Sequence, residues 1–144
     1  MTYNIKQRVL SLCGFLFLVI ISISVFYAGV YLISKYNNYS PTIIFTEWGV
    51  FAVFFPLFFM PYALMLTPVF INGKSISEKK AKKLIKTSLC FLLLTAISMV
   101  LFSAYYKESL KQRGYVECQG TPSGWTPGMA TKYTINKNYC IKID

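Results

Sequence analysis

The chain has 144 residues, 55% hydrophobic and 17% aromatic, and 15 basic against 5 acidic side chains give it a net charge of +10. So short and apolar a chain excludes a soluble multi-domain enzyme. A helix crosses a hydrocarbon core of about 30 Å with about 20 mostly apolar residues, and three stretches reach that length.

The first stretch, Val9 to Ile33, follows Lys6 and Arg8 and holds no charged residue. Its apolar run of about 25 residues exceeds the roughly 7–15 of a signal peptide, and it lacks a small-x-small cleavage site with a polar start beyond. It reads as a retained span. Ser34 to Glu47 is a short connecting loop with one lysine, Lys35.

The second stretch, Trp48 to Ile71, contains Pro56, Pro61 and Pro68 and a dense set of phenylalanines: Phe51, Phe54, Phe55, Phe58, Phe59 and Phe70. Interior prolines remove helix hydrogen bonds and kink the backbone; membrane helices tolerate them where neighbours satisfy the freed carbonyls. Gly49, Ala52, Pro56, Met60, Ala63 and Thr67 recur at steps of three or four. Such a small-residue stripe lets another helix approach closely. It serves either as a packing seam within the monomer or as a docking face for another membrane protein.

Asn72-Gly73 marks a turn, and six lysines then crowd the stretch before the third span: Lys74, Lys79, Lys80, Lys82, Lys83 and Lys86. Ser75-Ile-Ser-Glu78 has capping-box spacing, and no breaker follows until Gly114, a suitable helix end. The predicted helix of about 38 residues would be about 57 Å long at 1.5 Å per residue, so it projects beyond its apolar centre, Thr87 to Tyr106. Ser88, Thr95 and Ser103 form a sparse polar stripe, whose hydroxyls bond either across helices or back to their own carbonyls.

The tail is different in kind. Gly120 to Gly128 is rich in glycine and proline, which is turn chemistry. Tyr115 to Cys118 and Thr131 to Ile135 are candidate short strands. Trp125, at the loop tip, packs under the loop, lies among headgroups or anchors a partner.

Charge near span ends orients a membrane protein, with Lys and Arg kept on the cytoplasmic side. Eight such residues (Lys6, Arg8 and the six loop lysines) fall on one side, against Lys35 in the other short loop. This predicts a bacterial inner-membrane protein with a cytoplasmic N-terminus and a periplasmic C-terminus. Lys107, Lys111 and Arg113 run against it, but they close a helix, where cations suit the dipole. Cys118 and Cys140 then lie in an oxidising compartment where disulfides persist. A bridge between them is expected, because so small a tail needs a staple. Cys13 and Cys90 fall inside spans and read as packing residues. Tyr27, Tyr31, Tyr36, Tyr39, Trp48, Tyr105 and Tyr106 gather at the outer interface as an aromatic belt.

The expected fold is therefore an all-α membrane protein. Residues 1–113 form a three-span helical domain, and residues 114–144 form a disulfide-closed extracytoplasmic knob. There is no histidine, and the carboxylates are Glu47, Glu78, Glu108, Glu117 and Asp144. No proton relay, metal-ligand spacing, catalytic triad or phosphate loop is visible. The sequence points to no enzyme, no cofactor and no nucleic-acid partner; the lysines are accounted for by orientation and by anionic lipid headgroups.

Tyr-Val-Glu-Cys118, Thr121-Pro-Ser-Gly-Trp-Thr-Pro-Gly-Met-Ala-Thr-Lys-Tyr133 and the closing Cys140 resemble the C-terminal signature of a family of small enterobacterial membrane proteins of unknown function. That resemblance carries no activity. In size and topology alone the chain is similar to immunity proteins that guard bacteria against pore-forming colicins and membrane-targeting effectors. The function expected is thus an immunity-type protein that binds a membrane-acting toxin through its helix faces and knob. The alternative is a non-catalytic accessory or assembly subunit of a larger envelope complex.

Overall fold

A computed structural model describes residues 3–118 and 130–140. Three long helices dominate it: α1 (Ile5–Asn37), α2 (Trp48–Asn72) and α3 (Glu78–Gln112). All three are long and apolar enough to cross a membrane. Between and after them come β1 (Thr42–Phe45), β2 (Val116–Cys118), β3 (Thr131–Thr134) and a 3-10 turn, Lys137–Cys140. The bundle has a lysine end, where the N-terminus meets the α2–α3 turn, and a sheet end, where the strands gather.

The helix boundaries have local causes. Asn4 caps α1 in a reciprocal box with Gln7, so two orphan backbone donors are satisfied together. Gly73 ends α2 at φ 62°, and Gly114 follows α3 at φ 80°; both are left-handed positions that suit glycine. The capping box expected at Ser75 and Glu78 does not form. Ser77 caps α3 without a side-chain bond, and the helix is 35 residues long, rather than about 38.

The helices pack in a row with α2 in the middle. Against α1, the approach is closest at Gly29: a Cβ there would lie 2.8 Å from both the Ala52 Cβ and the Val53 nitrogen. Nearer the lysine end, the Ser11 hydroxyl donates to the Leu66 carbonyl at 3.2 Å, and Phe15 packs on Phe70 with ring centroids 5.3 Å apart. Against α3, the Ser88 hydroxyl donates to the Phe58 carbonyl at 2.9 Å, while Thr95 turns back to its own helix at Phe91. Ser88, Thr95 and Ser103 are all buried. The sparse stripe is therefore α3's inward face.

The sheet amends the all-α expectation. Its order is β1-β3-β2, antiparallel throughout. The anticipated tail strands form, but the third comes from the loop between α1 and α2, with Thr42 opposite Thr134 and Phe45 opposite Thr131. A four-residue run gives no signal of its own partner, and this partner lies some ninety residues onward. Tyr36, Ile43, Phe45, Tyr106, Leu110, Tyr115 and Tyr133 make one buried cluster beneath the sheet. Tyr36 and Tyr106 thus belong to a protein core, whereas Tyr27, Tyr31, Trp48 and Tyr105 stay exposed. The aromatic belt is split by the fold.

Buried tyrosines need partners for their hydroxyls, and each bond here ties separate elements. The Tyr36 hydroxyl donates to the Thr46 carbonyl at 3.1 Å and accepts from the Thr46 amide at 3.0 Å. Tyr106 donates to the Tyr36 carbonyl at 2.8 Å. Tyr115 reaches the carbonyls of Tyr39 and Ser40, both at 2.9 Å. Tyr39 itself has φ 43°, and Arg113 stacks 3.7 Å from its ring centre. Burial, with help from Glu117 and Glu47, pushes the Tyr133 hydroxyl up to about 12. The Cys118–Cys140 disulfide is present, with the two Cα atoms 5.4 Å apart. It joins the end of β2 to the 3-10 turn over Thr134, which is fully buried.

Candidate functional site

A groove of about 690 Å³ runs between α1 and α2, lined among others by Phe15, Phe26, Pro56, Leu57, Met60 and Leu64. Its size lies within the roughly 300–1,000 Å³ of ordinary ligand sites. The Gly29–Ala52 approach lies beyond one end of it along the helices and the Ser11–Leu66 bond beyond the other. Pro56 lines the α2 side of the groove, and Pro61 is buried within the same stretch of α2. Proline removes a backbone donor from the helix. Ser22 is the one polar side chain in the lining.

The small-residue stripe divides along this seam. A Cβ on Gly49 would sit 3.5 Å from Leu32, and Ala52 meets Gly29, so the sheet-end half packs on α1. Pro56, Met60 and Ala63 line the groove, and Met60 is 56% exposed. Thr67 is half-buried and donates back to Ala63. Trp125 lies outside the described residues.

At the sheet end, Glu47 precedes α2 and accepts from the Ser103 hydroxyl at 2.7 Å and from the Lys107 ammonium at 3.1 Å. These two bonds hold its carboxyl below the usual carboxylate range, against a smaller opposing effect of burial. A carboxylate also suits the positive end of the α2 dipole. Ser103 is 5% exposed and donates its proton to a carboxylate of lowered basicity, while Lys107 is engaged in the ion pair. This trio braces α2 against α3; it does not present a nucleophile.

At the lysine end, Arg8 donates to the carbonyls of Phe70 and Ile71 at 2.8–3.2 Å. Those are orphan acceptors of the α2 C-terminus, and a guanidinium satisfies two at once while complementing the dipole. The Tyr3 amide bonds Gly73 beside it. Lys74, Lys79, Lys80, Lys82, Lys83 and Lys86 are all exposed. From the sequence Arg8 is only an orienting charge and Glu47 only a span boundary, because neither has its partner near in sequence.

The family described as "Protein of unknown function (DUF1240)" matches residues 43–141. The chain belongs to this family. The DUF1240 match takes in α2, α3, β2, β3, β1 from Ile43 onward and both bridged cysteines, and leaves α1 outside. The groove therefore has one wall inside the matched region and one outside it. No curated protein and no solved structure matches the chain.

Proposed function

We propose that this DUF1240 protein is a membrane-embedded binding protein of the immunity type. Its α1–α2 groove would receive bulky side chains from a membrane-inserted helix of a pore-forming toxin and so block pore assembly. The observation that supports this reading is the groove itself: an apolar recess flanked by two tight helix contacts and lined by an exposed methionine. Methionine adapts its shape to a partner surface, and small residues beside it admit a close helix. The disulfide-closed sheet would lie in the periplasm and offer a second contact, because Lys6, Arg8 and the six loop lysines gather at the opposite end.

The test is survival of cells that co-express the chain with a membrane-acting toxin encoded beside its gene. Rescue is expected, and Ser22→Trp or Met60→Trp, which fill the groove, should abolish it while leaving insertion and the disulfide intact. A photo-crosslinker at position 60 should capture the toxin, whereas one at Leu93 on the outer face of α3 should not. No rescue by a correctly inserted chain, with crosslinks to an envelope complex instead, would replace this reading with the accessory-subunit one.

A further inference from the structure

Four of the lysines are arranged more narrowly than membrane orientation requires. Orientation depends on how many basic residues lie near a span end, and places no demand on which side of a helix they occupy. Yet Lys79, Lys82, Lys83 and Lys86 follow the spacing i, i+3, i+4, i+7 within the first turns of α3. At 3.6 residues per turn they fall within about 100° of the helix circumference.

The direction of that stripe is fixed by burial. Ser88 and Thr95 face α2 and are 0% and 2% exposed, and they lie on the opposite side of the helix from the lysines. Farther along α3 on the lysine side come Leu89, Leu93, Ile97 and Val100, all largely exposed. A single strip of helix thus carries four ammonium groups and then four exposed aliphatic side chains. From Lys86 to Leu93 the rise is about 10 Å.

The stripe is also poorly neutralised. Its nearest acidic partner is Glu78, 3.8 Å from Lys82, with both side chains almost fully exposed. Such a pair contributes little in water. Pairs of like charge at i, i+4 (Lys79 with Lys83, Lys82 with Lys86) oppose helix formation. Lys6 and Lys74 add positive potential at the same end, while Arg8 is committed to the α2 carbonyls.

We infer that the outward face of α3, from Lys79 to Val100, is a binding site for an anionic phospholipid. Its phosphate lies among Lys79, Lys82, Lys83 and Lys86, and an acyl chain lies along Leu89, Leu93 and Ile97. The bilayer is the occupant because the ammonium groups sit directly above exposed aliphatic side chains on a helix long and apolar enough to cross a membrane. The site rests on α3 spanning a membrane and is independent of the groove and of any toxin.

The experiment uses the full chain, disulfide oxidised, in phosphatidylcholine vesicles with traces of spin-labelled phosphatidylglycerol or spin-labelled phosphatidylcholine. The protein-bound fraction of each label gives a selectivity ratio. A preference for the anionic label of at least about fivefold is expected at low salt, shrinking as ionic strength rises. The variant K79Q/K82Q/K83Q/K86Q should bring the ratio close to one. The arginine version of the same four positions should keep the preference, and so should K6Q/K74Q. All four side chains are exposed, so folding is not at stake, and the salt series on the unaltered protein tests the idea without any variant. A ratio near one in the unaltered protein overturns the site and leaves the stripe to a water-soluble acidic partner. An undiminished ratio in the four-glutamine variant overturns it equally.

Discussion

The two ends of the bundle stabilise the same helices by different means. At the sheet end, seven side chains from α1, α3, the first loop and the tail form a core closed off from solvent, and a disulfide fastens its cover. At the lysine end the described residues form no such core. The helices are held by hydrogen bonds to carbonyls: Arg8 on Phe70 and Ile71, Ser11 on Leu66, and the Tyr3 amide on Gly73. Lipid removes the hydrophobic incentive for helices to associate within a bilayer. The end with a water-excluding core should therefore lose most when buried volume or its staple is removed, while the other end, whose carbonyls can turn to water, should lose little with any single bond.

The largest effect is expected from Leu110→Ala, since Leu110 is fully buried. A loss of about 2–5 kcal/mol follows from the cavity and transfer terms together, read as a lower unfolding midpoint in mild detergent. Removing the bridge with C118S/C140S should cost about 3 kcal/mol on the chain-entropy account of a loop this size. Limited proteolysis should then cut the tail while the helices survive; equal resistance with and without the bridge would mean the core alone holds the sheet. Gly29→Val comes next, at about 1–3 kcal/mol for overpacking against Ala52 and Val53. It should separate α1 from α2, lowering crosslinking between cysteines placed at 32 and 49.

Arg8→Ala should cost about 1 kcal/mol, since the carbonyls it leaves can turn to water. Its signature is faster amide exchange at Gly73 and Lys74 with no change at the sheet. Acidification should have the smallest effect, confined to the other end. The carboxyl of Glu47 is held below its ordinary value of 4.5. Its contribution is fully present above that value and is lost as pH falls through the lower folded one. Loosening between Trp48 and Ser103 below about pH 4.5, absent in Glu47→Gln, would identify this carboxylate as the cause.

Much of the helical part could be read directly. Span positions follow from unbroken apolar runs, and Asn72-Gly73 and Gly114 end helices where a left-handed residue is needed. The tail strands and the Cys118–Cys140 pairing followed from turn residues and from a tail too small to hold itself. Two local readings differ from the structure, and one capping box carried no expectation. Ser75 and Glu78 do not cap α3, Asn4 and Gln7 form the capping box instead, and Thr42 to Phe45 is a strand, not plain loop. Each failure is a competition between local options that sequence spacing alone does not rank.

What the sequence determined by itself was what each segment prefers: three helices long and apolar enough to cross a membrane, a cationic end and a cysteine-closed tail. These depend on neighbours a few residues away and on the transfer of side chains out of water. Only the tertiary structure decided that β1 completes the tail's sheet and that Tyr36 and Tyr106 join a buried core instead of an aromatic belt. It alone decided that the small-residue stripe is half seam and half groove wall, and that the α3 lysines share the face that would meet lipid. Those outcomes depend on contacts between residues tens of positions apart, where close packing and the pairing of buried polar groups choose among arrangements that local preference leaves equal.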